Sequence, residues 1–496
     1  MTLVGIPRQL KIVGYLKGWW VLSAREFNHY ARREEGVSEV IGNGDFYVEM
    51  AVLAGICRYS RIVFENGASG FVWQVANDSM KVLIIDGELP EVGSLGADTS
   101  KSLSTMISSD LLGRVVDPLL RPLDGKPEVV SSKQRNIFSP APSFNDRDLI
   151  NEQLATGVTV VDTMFPIVKG QRIAVVGEAK SGKSGFLLQT ATSQAKAGSI
   201  NVIVLIAKRW SDIRKQVEYL RQSGGLERTV IIVADVSQPL PLSFIAPYIG
   251  AAIAESFWYA KHDTVLMLDD LSHHAKIYRE FSLKLNLPAG REAYPGDMFY
   301  MHSSLLERAG KLKTTGSTQT ILATGTTPNA DIANFLSTSL ISMTDGQLVF
   351  DLQTLHRGRR PSINLEQSVS RVGGRIQSER GQQLSGEVRQ ALSRARSAEE
   401  FGRFGGQTSE VVTNQLELAK RINEAFTQTL AQSFSITEQQ LLLTAILGSN
   451  VPVSLNVPWL RTVIADVAKQ PVNDDEIDSI AAELTKNSIP QEAPGA

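Results

Sequence analysis

The stretch GEAKSGKS at 177–184 gathers residue types that hold phosphate. Gly177, Gly182, Lys183 and Ser184 fit the spacing G-x-x-x-x-G-K-[ST]. Glycines let the backbone fold into a cup of N–H groups around phosphate oxygens. A lysine at this spacing reaches the β- and γ-phosphates, and the following hydroxyl meets Mg2+. Lys180 and Ser181 complete the candidate cradle. The apolar run IAVVG (173–177) leads in, and GFLLQTATSQAKA (185–197) leads out with helix-compatible composition. That context predicts strand, loop and helix, with the helix N-terminus adding partial positive charge. A Gly/Ser-rich turn matching by chance would lack those flanks. The expected chemistry is binding of ATP or ADP with Mg2+.

TVLMLDD (264–270) ends an apolar run on two carboxylates. Asp269 directly follows the run and is the candidate to hold Mg2+ through water, beside Ser184. Hydrolysis also needs a group that orients the attacking water. The strand after the phosphate-loop helix ends VIVLIAKRWSD, so Lys208 and Arg209 stand where a carboxylate is wanted. A cation is a poor base for water, which argues against catalysis by this chain alone. SVSRVGGR (368–375) presents Arg371 in a short polar, glycine-containing segment, as a plain surface charge or as a finger reaching a neighbour's site. Adjacent helical residues point about 100° apart and no further ligands lie near, so His273–His274 reads as a solvated helix start. The single cysteine, Cys57, excludes an internal disulfide, suggests a reducing compartment, and falls in the apolar run MAVLAGIC, where buried packing is expected.

Elements must position these groups. At 496 residues the chain has room for about three domains. Lys+Arg 50 against Asp+Glu 52 leaves no global basic field for nucleic acid. No run reaches the ~18 uninterrupted apolar residues of a membrane span. Residues 1–35 read as a docking or targeting segment, with Trp19 and Trp20 and no acid before Glu26. Residues 36–100 read as a small β-barrel, from YVEMAVLAGI, RIVFEN, GFVWQVA and KVLIIDG between turn signals. Residues 101–374, connector included, alternate apolar runs with helical stretches, and are expected to form a parallel sheet buried on both faces. Those runs include VIVLIA (202–207), TVIIVAD (229–235), TQTILATG (318–325) and SLISMTDGQLVF (339–350). Residues 375–496 read as a helical bundle, with Val412, Leu416, Ala419, Ile422 and Phe426 as a core-facing stripe. The fold class is therefore α/β: barrel, phosphate-loop parallel-sheet domain, helical bundle.

Taken together, the segments closely resemble the α-subunit family of F-type ATP synthases, from about residue 36 to at least 440. The resemblance rests on LLGRVVDPLLRPLDG, LATGVTVVDTMFPIVKGQR (154–172), DDLSHHAKIYREFSLKLNLPAGREAYPGDMFYMHSSLLERA (269–309), ISMTDGQ (341–347) and RRPSINLEQSVSRVGG (359–374). It implies a nucleotide-holding, non-catalytic subunit that alternates with catalytic β subunits in an α3β3 hexamer. A central γ stalk and a stator δ-type subunit would be further partners, with no nucleic acid and no direct membrane span. Location would be peripheral, on the cytoplasmic side of a bacterial inner membrane or the matrix or stroma side of an organelle. Arg371 would complete the catalytic site of the neighbouring β subunit, Ser342 would lie near that interface, and Gln432 would match a glutamine near the adenine. The loop LPAGREAYPGD (287–297) would line the bearing around the shaft.

Departures from the family pattern are Lys208 for glutamine, Lys180 for glutamine and Ala289 for proline. Competing readings are a self-sufficient export-type ATPase, an α-like subunit of a specialised F-type-related ATPase, and a hexameric RNA translocase. The last would need stacked aromatics on a basic barrel face.

Overall fold

The computed structural model describes residues 26–32, 36–403, 410–448, 455–469 and 472–488. Of the N-terminal segment, most lies outside the described residues. A short helical stretch at 26–30 packs Phe27 against Val63 and Ala97, and Glu26 pairs with Arg61.

Six strands close an antiparallel barrel in the order β1-β2-β5-β4-β3-β6. They are β1 (Val37–Asn43), β2 (Tyr47–Ala51), β3 (Ser60–Phe64), β4 (Ser69–Val75), β5 (Ser79–Asp86) and β6 (Leu95–Ser102). Val40, Val48, Met50, Ile62, Phe64, Val72 and Val82 fill the interior, as alternation requires. The run MAVLAGIC leaves the barrel after Ala51. Gly55 takes φ +73° in a turn, and Cys57 is exposed. Its expected burial is therefore corrected: the strand stops before the apolar run does.

The central sheet is built from β7 (Val115–Val116), β8 (Arg172–Gly177), β9 (Ile200–Lys208), β10 (Thr229–Asp235), β11 (Thr264–Asp269), β12 (Thr318–Thr326), β13 (Gly346–Phe350) and β14 (Val369–Ser370). Along the path β14-β13-β8-β12-β11-β9-β10-β7 the strands are parallel except for the antiparallel edge strand β14, and two short antiparallel strands, Gly310–Leu312 beside β12 and Arg147–Asp148 beyond it, complete the sheet. Both faces are covered, which is why the strands read as unbroken apolar runs. On one face lie the phosphate-loop helix α1 (Lys183–Lys196) and α2 (Trp210–Gln222), together with the C-terminal helices. On the other lie α3 (Leu240–Tyr259) and α4 (Leu271–Lys284), against which the barrel docks through Trp73, Phe244 and Phe281. The apolar helix α3 is long enough to cross a membrane, yet it is buried within the fold, with its one carboxylate, Glu255, paired to Arg308 and Arg135. Helix α5 (Met298–Leu306) packs beside α3.

The run at 339–350 is not one strand. Asn334 caps a helix, α6 (Phe335–Ser342), by accepting from Ser337 N, and β13 begins only at Gly346. Beyond 375, the described residues form α7 (Glu379–Arg403), α8 (Glu410–Phe426), α9 (Ile436–Leu447), α10 (Val457–Val467) and α11 (Asp474–Ser488). In α8 the stripe holds: Ala419, Ile422 and Phe426 are buried, while Val412 and Leu416 are half-buried.

Candidate nucleotide-binding site

Because the strands are parallel, their C-terminal ends lie along one edge, where open sheets of this kind take ligands. Gly177, Lys208, Asp269 and Thr326 all stand there. Gly177 has φ +154°, and a Cβ on it would meet the Phe350 carbonyl at 2.3 Å. Gly182 takes φ +105° as the cap before Lys183, the first residue of α1. A side chain at either position would spoil the cup. Ser181 Oγ donates to Glu178 O at 2.8 Å, and Ser362 Oγ donates to Ser181 O, pinning the loop from behind. Lys180, at φ +64°, is exposed on the loop's outer turn.

Lys183 is buried and donates to Gly177 O and Glu178 O, both at 2.7 Å. Burial pushes its ammonium down to about 8 against the pull of Asp270 and Asp269. Those carbonyl contacts hold the lysine against the loop.

Asp269 is fully buried. Its Oδ2 accepts from Ser184 Oγ at 2.8 Å, so loop and strand end meet as the spacing predicted. Its Oδ1 accepts from Thr324 Oγ1 at 2.8 Å and from Lys208 Nζ at 2.8 Å. Burial would lower the Lys208 ammonium, but Asp269 and Asp270 outweigh it and hold the group above its ordinary value. The hydroxyl and carboxylate are hard oxygens of the kind Mg2+ takes along with phosphates and water. They fit that ion. Among the described residues, no three His, Cys, Asp or Glu side chains form a ready metal cluster.

Asp270 has a different task. Its carboxylate caps α4 by accepting from His273 N at 2.7 Å, and it also takes Thr326 Oγ1 at 2.9 Å. Burial opposes the charge, but His273 and Lys208 hold the carboxyl down at about 2. The histidine pair is corrected here in part. His273 sits half-exposed beside Asp270, as a helix-start residue does. His274 is wholly buried, with Nδ1 2.9 Å from His302 Nε2 and Nε2 2.8 Å from Phe244 O.

Gln432 lies in the turn between α8 and α9. Its backbone carbonyl accepts from Gln189 of α1, which ties the turn to the loop helix. Its side-chain Oε1 accepts from Thr429 N at 2.9 Å, within its own turn.

Arg371 and Ser342 are not brought to the phosphate loop. Arg371 N donates to Asp345 O at 3.2 Å, and Asp345 pairs with Arg172 at the start of β8. Both residues thus lie at the opposite end of the sheet. Arg371 is exposed, and among the described residues no carboxylate pairs with it; Ser342 is exposed at the end of α6. Thr324 and Thr326 were not anticipated as site residues. Their position at the end of an apolar run parallel to TVLMLDD was the available signal.

Residues 157–370 match the family model described as the ATP synthase alpha/beta family, nucleotide-binding domain. The chain is 34% identical over 480 residues to an ATP synthase subunit alpha of Latilactobacillus sakei, covering 92% of this chain and 94% of the relative. It is 35% identical over 413 residues to the Acetivibrio thermocellus subunit, covering 82% of each. With the Lactobacillus helveticus subunit it shares 35% over 433 residues, 86% of each. A barrel, a parallel phosphate-loop sheet and C-terminal helices in one chain, with likeness running across all three, lead to one conclusion: this chain belongs to the ATP synthase alpha-subunit family.

Proposed function

We propose that the chain is the non-catalytic, regulatory nucleotide-binding subunit of a rotary F-type assembly that couples ATP synthesis or hydrolysis to movement of protons or another ion. The observation that carries this reading is the hydrogen bond from Lys208 to Asp269. The cradle of Gly177, Lys180, Ser181, Gly182, Lys183 and Ser184 is complete, but an ammonium stands where a water-orienting carboxylate is needed. ATP or ADP binds at the loop, Gln432 lies on the side of the base, and Ser184 and Asp269 are the side chains that would hold Mg2+ where it binds. Mg2+ supplies charge neutralisation to the phosphates when bound.

The chain alternates with β subunits in a hexamer around a γ shaft, with a δ-type stator subunit attached, peripheral to the membrane. Arg371 serves the neighbouring β subunit's catalytic site. Its exposed position at the sheet end far from its own loop, with no carboxylate paired to it among the described residues, supports a role between subunits. Ser342 shares that end and lies near the interface.

The isolated chain should bind ATP and turn it over barely at all. A sensitive phosphate-release assay on purified protein checks this. Steady turnover near the common enzyme rate of ~10 per second, abolished by Lys183→Ala, overturns the non-catalytic reading. Unchanged nucleotide affinity in Lys183→Ala, by equilibrium dialysis, removes the loop as the binding site.

A further inference from the structure

Phosphate-loop chemistry assigns Lys208 no task, and the strand is shaped to present it. The pairing of β9 with β10 slips between Ile206 and Lys208, leaving Ala207 as an extra residue. Ala207 adopts φ +52°, a left-handed conformation disfavoured for a residue with a side chain. Bulges of this kind re-aim side chains. The chain re-aimed here is Lys208, which lays its ammonium 2.8 Å from Asp269 Oδ1 with 18% of the side chain exposed.

Asp269 is thereby occupied on both oxygens. Thr324 Oγ1 shares Oδ1, and Ser184 Oγ holds Oδ2. These are the same hydroxyl and carboxylate that would hold Mg2+. A dication approaching Asp269 meets a fixed cation in a water-poor corner, where like charges repel far more than in bulk water.

We propose that Lys208 acts as a built-in replacement for the metal ion, so that this site binds ATP or ADP as the free polyphosphate with little dependence on Mg2+. The inference rests on the nucleotide reading of the phosphate loop given above. Lys208 neutralises the Asp269 carboxylate that would otherwise repel an incoming phosphate chain. Lys183 lies against the loop carbonyls of Gly177 and Glu178, and Lys180 adds an exposed cation at the loop's turn. A lysine ammonium is a compact point charge with three donors, suited to bridging one carboxylate and phosphate oxygens together. Mg2+ reaches Asp269 only by displacing Lys208, so its binding adds little net affinity.

The experiment is isothermal titration of the purified full chain with ATP, once in excess MgCl2 and once in EDTA. Wild type is compared with Lys208→Gln and Lys208→Met. Wild-type affinity should differ by no more than about threefold between the two conditions, while each variant should bind about 10–100-fold more weakly in EDTA than in MgCl2, the worth of one charge-assisted contact. A wild-type affinity that collapses in EDTA as far as the variants' overturns the proposal and leaves the phosphate-loop reading standing. A chain that binds ATP in neither condition overturns both. Should the variants fail to fold, the wild-type comparison decides by itself.

Discussion

Gly373 sets the position of the arginine two residues before it. A Cβ on Gly373 would lie 1.8 Å from Pro166 O and 2.6 Å from Ser370 Oγ. The hydroxyl is itself bonded to Pro166 O at 2.7 Å, so neither atom has room to yield. Gly373→Ala must therefore move the segment 370–373, and Arg371 with it. We expect a destabilisation of about 1–3 kcal/mol, typical of forced overpacking. In a reconstituted complex, ATP hydrolysis should also fall although Arg371 is intact. Thermal melting and a hydrolysis assay on assembled complex check this, and a variant that melts and turns over like wild type sinks it.

At the same scale, legibility in the sequence tracked locality. The turn at Gly177 and Gly182 and the helix start at Lys183 were readable because such a loop is made by neighbouring backbone. The partner of Lys208 was not, because a bulge at Ala207 decides where its side chain goes. The exposure of Cys57 likewise depends on where β2 stops, which an apolar run does not mark.

Helices α4 and α5 are joined by a buried histidine pair that ties stability to pH. His274 Nε2 faces the Phe244 carbonyl, so Nε2 carries the hydrogen and Nδ1 is left to accept from His302 Nε2. Protonating His274 would set two donors against each other. Burial pushes the His274 ring down to about 4, and burial beside His274 pushes His302 well below its ordinary range. Both rings stay neutral in the folded chain, while the unfolded chain protonates them below about pH 6.5. The unfolded state then binds more protons. Stability from the pair is full above that pH and falls as pH drops from there toward 4, by roughly 1.4 kcal/mol per pH unit for each ring. Urea unfolding at about pH 7 and pH 5.5 should show the slope, and His302→Gln should make it shallower. A slope unaffected by that substitution would place the acid sensitivity elsewhere.

Among elements, the sheet strands were the most legible, since burial on both faces leaves continuous apolar runs such as VIVLIA and TVIIVAD. The run at 339–350 misled because α6 and β13 are both apolar, and only the turn at 343–345 divides them. His274 misled in the other direction. One polar residue at a helix start reads as solvated until the packing of α3 and α5 over it is known.

The whole molecule separates two charges by the height of a sheet. The phosphate loop with Lys183 lies at the C-terminal ends of the strands, whereas Arg371 follows the edge strand β14 at their N-terminal ends, beside Asp345 and Arg172. One chain cannot bring Arg371 to its own loop without dismantling the sheet, so an arginine finger here must act on another subunit. As a β–γ phosphate bond breaks, charge spreads onto the phosphoryl oxygens, and a guanidinium placed there contributes most in the transition state. Arg371→Ala should therefore leave nucleotide binding by the isolated chain unchanged, leave assembly intact, and lower hydrolysis by the assembled complex about 10³–10⁵-fold. Arg371→Lys should rescue little, since a point charge does not reproduce the planar, forked contact. Complexes reconstituted from wild-type and mutant chains in known ratios should lose activity in proportion to the mutant chains present, because on the proposed reading each finger would serve one neighbour. The measurements are ATP hydrolysis with assembly checked by native mass spectrometry. A fully assembled Arg371→Ala complex within about threefold of wild type would make Arg371 an ordinary surface charge and leave the far end of the sheet without a catalytic role.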